Sequence, residues 1–189
     1  MNDITGQPTS FRKPIAEAIV LVSKQETMDA IKNKQVSKGD VFEFSRAAGL
    51  LAVKRTSDSI PDCHPMPIEF TAITFNIEAL SVRITVEVHT IYKTGVEVEA
   101  MHGAAIAALN MYDMLKTIDK GLEISTIRLL MKKGGKSDYT DKAGSSLSCA
   151  VVVCSDSIAA GTKTDGAGKA IMKNLKDQGI TVSYYGIIP

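Results

Sequence analysis

Residues 68–88, with the sequence IEFTAITFNIEALSVRITVEV, decide the fold of this chain. The second half, VRITVEV, alternates strictly between apolar and polar residues, which predicts a strand with one buried face. In the first half the apolar alternation changes phase at Ala72, which predicts a strand that carries a bulge there. A short turn at 78–81 joins the two runs, so the stretch predicts an antiparallel hairpin.

Hydrophobic periodicity and capping signals predict the elements on either side of the hairpin. Before it we expect a buried strand at 15–22, a short helix that ends near Asn33 and a helix at 40–55. After it we expect a long helix at 97–118 and a strand at 122–131. The order β-α-α-β-β-α-β is the ferredoxin-like pattern with one added helix. The fold class predicted is therefore α+β, with an antiparallel sheet and helices packed on one face.

The end of the chain has a different composition and a different pattern of elements. Residues 137–148 (SDYTDKAGSSLS) are small and polar, as in flexible linkers. A buried strand at 150–154, a helix at 167–178 and the beginning of another strand at 180–188 follow. One β-α-β unit cannot enclose a core in about 40 residues. We therefore expect an incomplete α/β segment that is cut off at Pro189.

Composition excludes several classes of protein. The chain has 189 residues, 44% of them hydrophobic and 23% charged, which is typical of a globular protein. Its formal net charge of +1 gives no general attraction to nucleic acid or to an anionic membrane, so we expect neither as a partner. No apolar run is long enough for a membrane helix, and the N-terminal segment lacks the apolar core of a signal peptide. The three cysteines include no C-x-x-C pair, and a reducing, cytoplasmic location is predicted.

Some charged residues are candidates for chemistry, and the spacing alone leaves their roles open. Asp113 and Lys116 share one side of the long helix, either as a solvated ion pair or as an acid/base pair. Glu97 and Glu99 lie in the first turn of that helix, where they either complement its dipole or bind substrate. His64 lies in a loop made rigid by prolines, where it is either a structural residue or part of a site.

Lysines at element ends and in glycine-containing loops suggest a site for a polyphosphate. They are Lys38, Lys54, Lys93, Lys132, Lys133 and Lys136, together with Arg55. Gly134 and Gly135 allow backbone N–H groups to approach an anion while neighbouring ammonium groups neutralise it. A mobile basic loop without a ligand is an equally good explanation of the same residues.

Three long segments carry a resemblance to a known family. They are KGDVFEFSRAAGLLAVKRTSDSIPDCHPMPIEF at 38–70, KTGVEVEAMHGAAIAALNMYDMLKTIDKG at 93–121 and IRLLMKKGGKS at 127–137. Together they resemble the cyclic pyranopterin monophosphate synthase family of molybdenum cofactor biosynthesis, also called the molybdenum cofactor biosynthesis protein C family. The similarity extends over about residues 12–138.

The tail, AVVVCSDSIAAGTKTDGAGKAIMKNLKDQGITVSYYGIIP, resembles the opening of the molybdopterin-binding or adenylyltransferase domain of the same pathway. The resemblance thus implies part of a bifunctional fusion. Its parts are a synthase domain at 1–140, a linker at 141–148 and the truncated start of a molybdopterin-binding domain at 149–189. We expect no adenylyltransferase activity from so short a segment.

The family resemblance implies an enzyme with a defined reaction. A lyase-type rearrangement converts (8S)-3′,8-cyclo-7,8-dihydroguanosine 5′-triphosphate to cyclic pyranopterin monophosphate and releases pyrophosphate. The alternative is a non-catalytic pterin-binding or scaffold protein of the same pathway. The family implies a homo-hexamer, a trimer of dimers, with sites formed between subunits. No bound cofactor is implied, and magnesium held through the substrate phosphates is left open.

The resemblance also implies roles for individual residues. On the YDMxK motif, Asp113 and Lys116 correspond to the catalytic pair, with Lys116 as general acid/base. The substrate-binding residues implied are Asp62, Cys63, His64, Val98, Glu99, Glu97, Lys38, Lys54 and Lys132. Our hypothesis is that His64 and the glutamates orient the base and that the lysines hold the triphosphate. Asp62 and Val98 depart from the family, which commonly has an apolar residue and a methionine there.

Overall fold

The computed structural model describes residues 1–135 and 147–189. The chain divides into two compact units, Met1–Gly135 and Lys136–Pro189. Most of the linker predicted at 141–148, and Lys136 of the basic loop, lie outside the described residues.

The first unit is built on a four-stranded sheet with the order β2-β3-β1-β4, in which every pairing is antiparallel. Its elements are β1 (Ser10–Leu21), α1 (Gln25–Lys32), α2 (Val41–Lys54), α3 (Thr56–Ser59), β2 (Phe70–Glu78), β3 (Ser81–Tyr92), α4 (Glu97–Leu115) and β4 (Glu123–Lys133). The predicted α+β class is confirmed. Strand β1 begins earlier than expected, and the short helix α3 was not predicted.

The hairpin formed by β2 and β3 differs from the prediction in one respect. Its register is continuous from Phe70 opposite His89 to Glu78 opposite Ser81, so the bulge predicted near Ala72 is wrong. The phase change in the sequence arises because Phe70 and Ala72 lie on the face of β2 opposite to the buried Ile73, and Phe70 is 46% exposed. The sheet's register shifts occur between β1 and β4 instead.

The core lies between one face of the sheet and the helices α2 and α4. The alternating residues of β3 that the sequence assigned to the core, Val82, Ile84, Val86 and Val88, are fully buried. The facing side of α4 consists largely of alanine and glycine, which permits close packing against both the sheet and α2. Helix α4 thus runs through the middle of the unit, and its two ends carry the predicted site residues.

Close packing between α2 and α4 predicts a large cost for adding a single methyl group. A Cβ at Gly49 would lie 3.0 Å from the backbone oxygen of Gly103 and 2.7 Å from the Ile73 side chain. We expect Gly49→Ala to destabilise the protein by about 1–3 kcal/mol, even though alanine favours helices. Urea unfolding measures the change, with the exposed Ala47→Ser as control. An equal or higher unfolding midpoint for Gly49→Ala would contradict the close packing.

The second unit has a β-α-β arrangement. Its elements are β5 (Ser148–Cys154), α5 (Asp156–Ala159), α6 (Ala167–Asp177) and β6 (Thr181–Ile188), and β5 pairs with β6 in parallel. The buried Asp165 accepts hydrogen bonds from the backbone N–H of Gly168, at 2.8 Å, and from the Tyr185 hydroxyl group. These bonds fix the start of α6 against β6. Within the described residues, every helix is too short or too polar to span a lipid bilayer.

Candidate active site

A pocket of about 440 Å³ lies beside the first turn of α4. The lining side chains that the sequence analysis had selected are Asp62, Cys63, His64, Glu97, Val98 and Glu99. The first three come from the loop before β2, and the last three from α4. The pocket therefore brings together the IPDCHP and KTGVEVE motifs, which are distant in the sequence.

The loop that carries His64 is tied down at both ends. The backbone N–H of Cys63 donates to the carbonyl of Ile60 at 3.0 Å, which closes a turn. Further on, the hydroxyl group of the buried Thr90 on β3 donates to the carbonyl of Pro67 at 2.5 Å. Proline rings restrict the backbone between these anchors, so the loop holds His64 in a defined position.

Glu99 is the buried acid of the pocket, with only 3% of its surface exposed. Burial raises the pKa of its carboxyl group, and the nearby charge of Glu97 raises it further. Burial likewise raises the pKa of the Cys63 thiol, with additional contributions from Glu99 and Asp62. The surroundings thus favour a protonated Glu99, which can donate a hydrogen bond or a proton to a bound molecule.

The raised pKa of Glu99 predicts a pH-dependent gain in stability for Glu99→Gln. The protonated carboxyl group contributes stability below the unfolded-state pKa, near 4.5, and that contribution is lost as the pH rises through the folded-state pKa. We therefore expect Glu99→Gln to unfold at a higher temperature than the parent at pH 7.5 but not at pH 4. Calorimetry at the two pH values tests this, with Glu26→Gln as control for charge. If Glu99→Gln and the parent unfold at the same temperature at pH 7.5, burial does not destabilise the ionised carboxylate of Glu99.

The N-terminal arm forms another wall of the pocket. Asn2, Asp3, Ile4 and Gln7 all line it, and the Lys93 ammonium group holds the arm by donating to the carbonyl of Thr5 at 2.9 Å.

Asp62, the departure from the family pattern, also contacts the arm. Its carboxylate lies 2.6 Å from the amino group of Met1, and this hydrogen bond lowers the pKa of Asp62. The positive charge of the Met1 amino group therefore partly neutralises the negative charge that Asp62 brings to the pocket.

A second group of site residues lies at the C-terminal end of α4. The Lys116 ammonium group is 2.6 Å from one oxygen of Asp113, and that of Lys38 is 2.7 Å from the other. Lys38 also donates to the backbone carbonyl of Asp113 at 2.8 Å. It precedes α2, whose first turn is capped by the Asp40 carboxylate.

The charges of this second group are well defined. Hydrogen bonds from Lys116 and Lys38 lower the pKa of Asp113 to about 2, and the same carboxylate raises the pKa of Lys116. Asp113 and Lys116 are each about half exposed, at 53% and 52%. The pair is thus a preformed carboxylate and ammonium group that is accessible from outside the chain.

The pocket and the second group do not meet within one chain. Glu99 and Asp113 are separated by about 21 Å along α4, at about 1.5 Å per residue. A straight helix therefore holds the two groups apart within one chain, and the predicted meeting of Asp113 and Lys116 with His64, in a site between subunits, stays a prediction.

The remaining predicted lysines differ in position. The Lys132 ammonium group is 3.9 Å from Glu97, which places it beside the pocket. Lys54 is exposed at the end of α2 and forms no hydrogen bond or ion pair with any residue that the structure describes. The roles assigned to these lysines stay predictions.

Two basic residues of the pocket were absent from the predicted site. Arg12 belongs to the first residues of β1, and Lys93 precedes α4. Lys93 was one of the lysines that suggested a polyphosphate site, but it was not among the substrate-binding residues implied by the resemblance, and Arg12 was not selected. The only signal for Arg12 was a cation in an otherwise polar segment, which does not indicate a site.

Across the described ranges, no three His, Cys, Asp or Glu side chains are close enough together to bind a metal ion.

A buried acid with a raised pKa, a histidine and a preformed carboxylate–ammonium pair are groups that can transfer protons to or from a bound molecule, as in an enzyme of the α+β class. Comparison with known sequences identifies it further. The sequence profile of the MoaC family matches residues 1–135, and the chain belongs to this family.

Individual relatives agree with the family assignment. A molybdenum cofactor biosynthesis bifunctional protein from Chlorobaculum tepidum is 40% identical over the whole chain, which spans 59% of that relative's length. Cyclic pyranopterin monophosphate synthases from Clostridium perfringens and Trichlorobacter lovleyi are each 45% identical over 72% of the chain and 87% and 86% of their own lengths. The resemblance drawn from the three motif segments is confirmed.

Proposed function

We propose that the chain is a cyclic pyranopterin monophosphate synthase that acts in molybdenum cofactor biosynthesis. It converts (8S)-3′,8-cyclo-7,8-dihydroguanosine 5′-triphosphate to cyclic pyranopterin monophosphate and releases pyrophosphate. Membership of the MoaC family and the names of its relatives support this assignment. The observation that carries it is the pocket in which the IPDCHP and KTGVEVE motifs meet.

The reaction requires proton transfers at several nitrogen atoms and a cation to stabilise the phosphate charge that develops. We assign the proton transfers to Lys116, which Asp113 holds in place as an ammonium group. His64 and Glu99, whose pKa is raised by burial, orient the purine-derived base. Lys38, Lys54 and Lys132 bind the triphosphate, and magnesium carried by the phosphates would share this role.

The site proposed is formed between two copies of the chain, because the pocket and the Asp113 group are too far apart in one copy. An exposed apolar stripe on α4 links them. It consists of Val98, Ala105, Leu109 and Tyr112, which recur at helical spacing on one side of α4, and Leu109 is 54% exposed. Such a stripe favours packing against another apolar surface.

Symmetry makes the same stripe on a second copy a suitable partner. In a two-fold contact between antiparallel helices, residues equally distant from the central residue face each other. With Ala105 at the centre, Val98 of one copy faces Tyr112 of the other, about two turns away on either side. The Asp113 and Lys116 of each copy then reach the pocket of the other, beside Glu99.

Further features of the proposal concern assembly, fold type and location. Three such dimers would form the homo-hexamer that the family resemblance implies. We propose that this assembly is located in the cytoplasm. The strand order β2-β3-β1-β4 supports a ferredoxin-like fold for the first unit. For the second unit we propose the start of a molybdopterin-binding domain after a linker, with no adenylyltransferase activity of its own.

A direct assay tests the function. The cyclised GTP intermediate is generated in situ by the upstream radical enzyme, and cyclic pyranopterin monophosphate and pyrophosphate are measured after the protein is added. We expect both products in equal amounts. Substrate binding without either product would favour the alternative, a non-catalytic pterin-binding or scaffold protein.

A further inference from the structure

The N-terminal arm, residues 1–9, forms one wall of the pocket but is not part of the sheet. Strand β1 begins after it, and none of these nine residues, all of which the structure describes, belongs to a helix or a strand. Asp3 accepts a hydrogen bond from the backbone N–H of Thr5 at 2.8 Å, and the carbonyl of Ile4 accepts one from the N–H of Gln7 at 3.1 Å. The arm thus has a local shape of its own, without strand pairing to hold it against the unit.

Exposed polar contacts fasten the arm to the rest of the unit. The amino group of Met1 lies 2.6 Å from the Asp62 carboxylate, and the Lys93 ammonium group donates to the carbonyl of Thr5 at 2.9 Å. The side chains of Met1 and Asp62 are 52% and 77% exposed, and the bond from Lys93 is exposed as well. Exposed charged contacts contribute little to stability, because water competes for both partners. These contacts hold the arm in place but break easily.

One apolar side chain and one glycine complete the design of the arm. Ile4 is partly buried and lines the cavity, whereas its neighbours Asp3 and Thr5 are exposed. Gly6 lies between this anchored part and β1, and a Cβ added there would meet no atom within 4 Å. Glycine has the greatest backbone freedom of all residues, so an uncrowded glycine at this point suits a hinge.

The arm shares its cavity with the least exposed groups of the pocket. Glu99 is 3% exposed, and Cys63 is partly buried. Both line the same cavity as Ile4 and Gln7. Displacement of the arm therefore removes one wall of the cavity and widens the access to these groups.

We infer that the N-terminal arm is a lid, which opens about Gly6 to admit a ligand and closes through Asp62 and Lys93. Lids of this kind separate a bound molecule from water. The family commonly has an apolar residue at the position of Asp62, so the ionic contact with Met1 is a feature of this chain. The inference goes beyond the proposed function, because it concerns access to the pocket and not the identity of the molecule that binds there.

Alkylation of Cys63 by iodoacetamide, a small uncharged reagent, measures how often the lid is open. Peptide mass spectrometry follows Cys63 separately from Cys149 and Cys154, which lie in the other unit and should react at unchanged rates. Ile4→Ala removes the apolar contact and should raise the rate at Cys63 about 3- to 10-fold. Thr9→Ala, an exposed change on the arm but outside the pocket lining, is the matched control and should react like the parent.

A second variant, Asp62→Leu, removes the ionic contact. Loss of one exposed ion pair should raise the rate at Cys63 about 2- to 5-fold. Asp62 also raises the pKa of the Cys63 thiol, so the rates are measured over a range of pH and compared as limiting rates of the ionised thiol. Removal of residues 2–8 gives the rate for a permanently open pocket, and neither variant should exceed it.

Each outcome of the alkylation experiment decides the inference. A parent-like rate at Cys63, either in Ile4→Ala or after removal of residues 2–8, would overturn the lid. A faster reaction accompanied by a lower urea unfolding midpoint would show that the whole unit loosens, and would overturn it as well. If the rates rise as expected at an unchanged midpoint but the parent forms no cyclic pyranopterin monophosphate, the lid stands and the proposed function fails.

Discussion

Lys116→Ala is expected to lower kcat for cyclic pyranopterin monophosphate formation by about 100- to 10,000-fold, the range typical of a lost general acid/base. The ammonium group is already fixed 2.6 Å from Asp113, so the parent protein has the proton donor in place before substrate binds. Single-turnover assays with the cyclised GTP intermediate measure the effect. Lys120→Ala is the matched control, because Lys120 is one turn further on and also exposed. A loss of only a few fold in Lys116→Ala would exclude Lys116 as the acid/base.

Asp113→Asn provides a second measure of the same role through pH. Asp113 raises the pKa of Lys116, so its removal should let that pKa fall. If Lys116 donates the proton, activity is lost as the pH rises through its pKa, and the basic limb of the profile should move to lower pH in Asp113→Asn. If kcat falls in Asp113→Asn but the basic limb stays at the same pH, the limb reports the titration of a group other than Lys116.

Mixing two inactive variants is expected to restore activity. His64→Ala damages the pocket and Lys116→Ala damages the second group, so each protein alone should be almost inactive. In a mixed dimer one of the two shared sites carries both substitutions and the other carries neither. Random reassociation of equal amounts should therefore restore about a quarter of the parent activity.

The mixing experiment requires subunit exchange, which brief denaturation and joint refolding provide. Ala105→Glu in both variants places a charge at the centre of the proposed α4 contact and should abolish the recovery. Light scattering on the same samples reports the assembly state. Failure of the mixture to gain activity, with refolded parent protein fully active, would mean that the two groups do not complete each other's site.

The features best predicted from the sequence were local ones. Strict alternation in VRITVEV fixes which side chains of β3 are buried, because a strand has only two faces. The predicted bulge at Ala72 is wrong because Phe70 and Ala72 are apolar residues on the face of β2 opposite to Ile73, and apolar character alone does not show which face is buried. Periodicity does not show where a strand begins, since that depends on the backbone hydrogen bonds of its neighbour.

The site was predicted in its composition but not in its geometry. Motif residues such as His64 and Glu99 do share a pocket, although no spacing in the sequence indicates that they meet. The distance between Glu99 and Asp113 follows from the length of one helix, and the prediction that they share a site concerns neighbouring subunits. Arg12 could not be predicted because only the three-dimensional structure shows that it lines the pocket.

The position of the N-terminal arm has a practical consequence for preparing the protein. Since residues 2–7 include side chains that line the pocket, an affinity tag fused ahead of Met1 would emerge beside the cavity entrance. A polyhistidine tag would add metal-binding and titratable groups within reach of the substrate. Kinetic comparisons among variants are therefore best made with a tag at the other terminus or with one that has been removed.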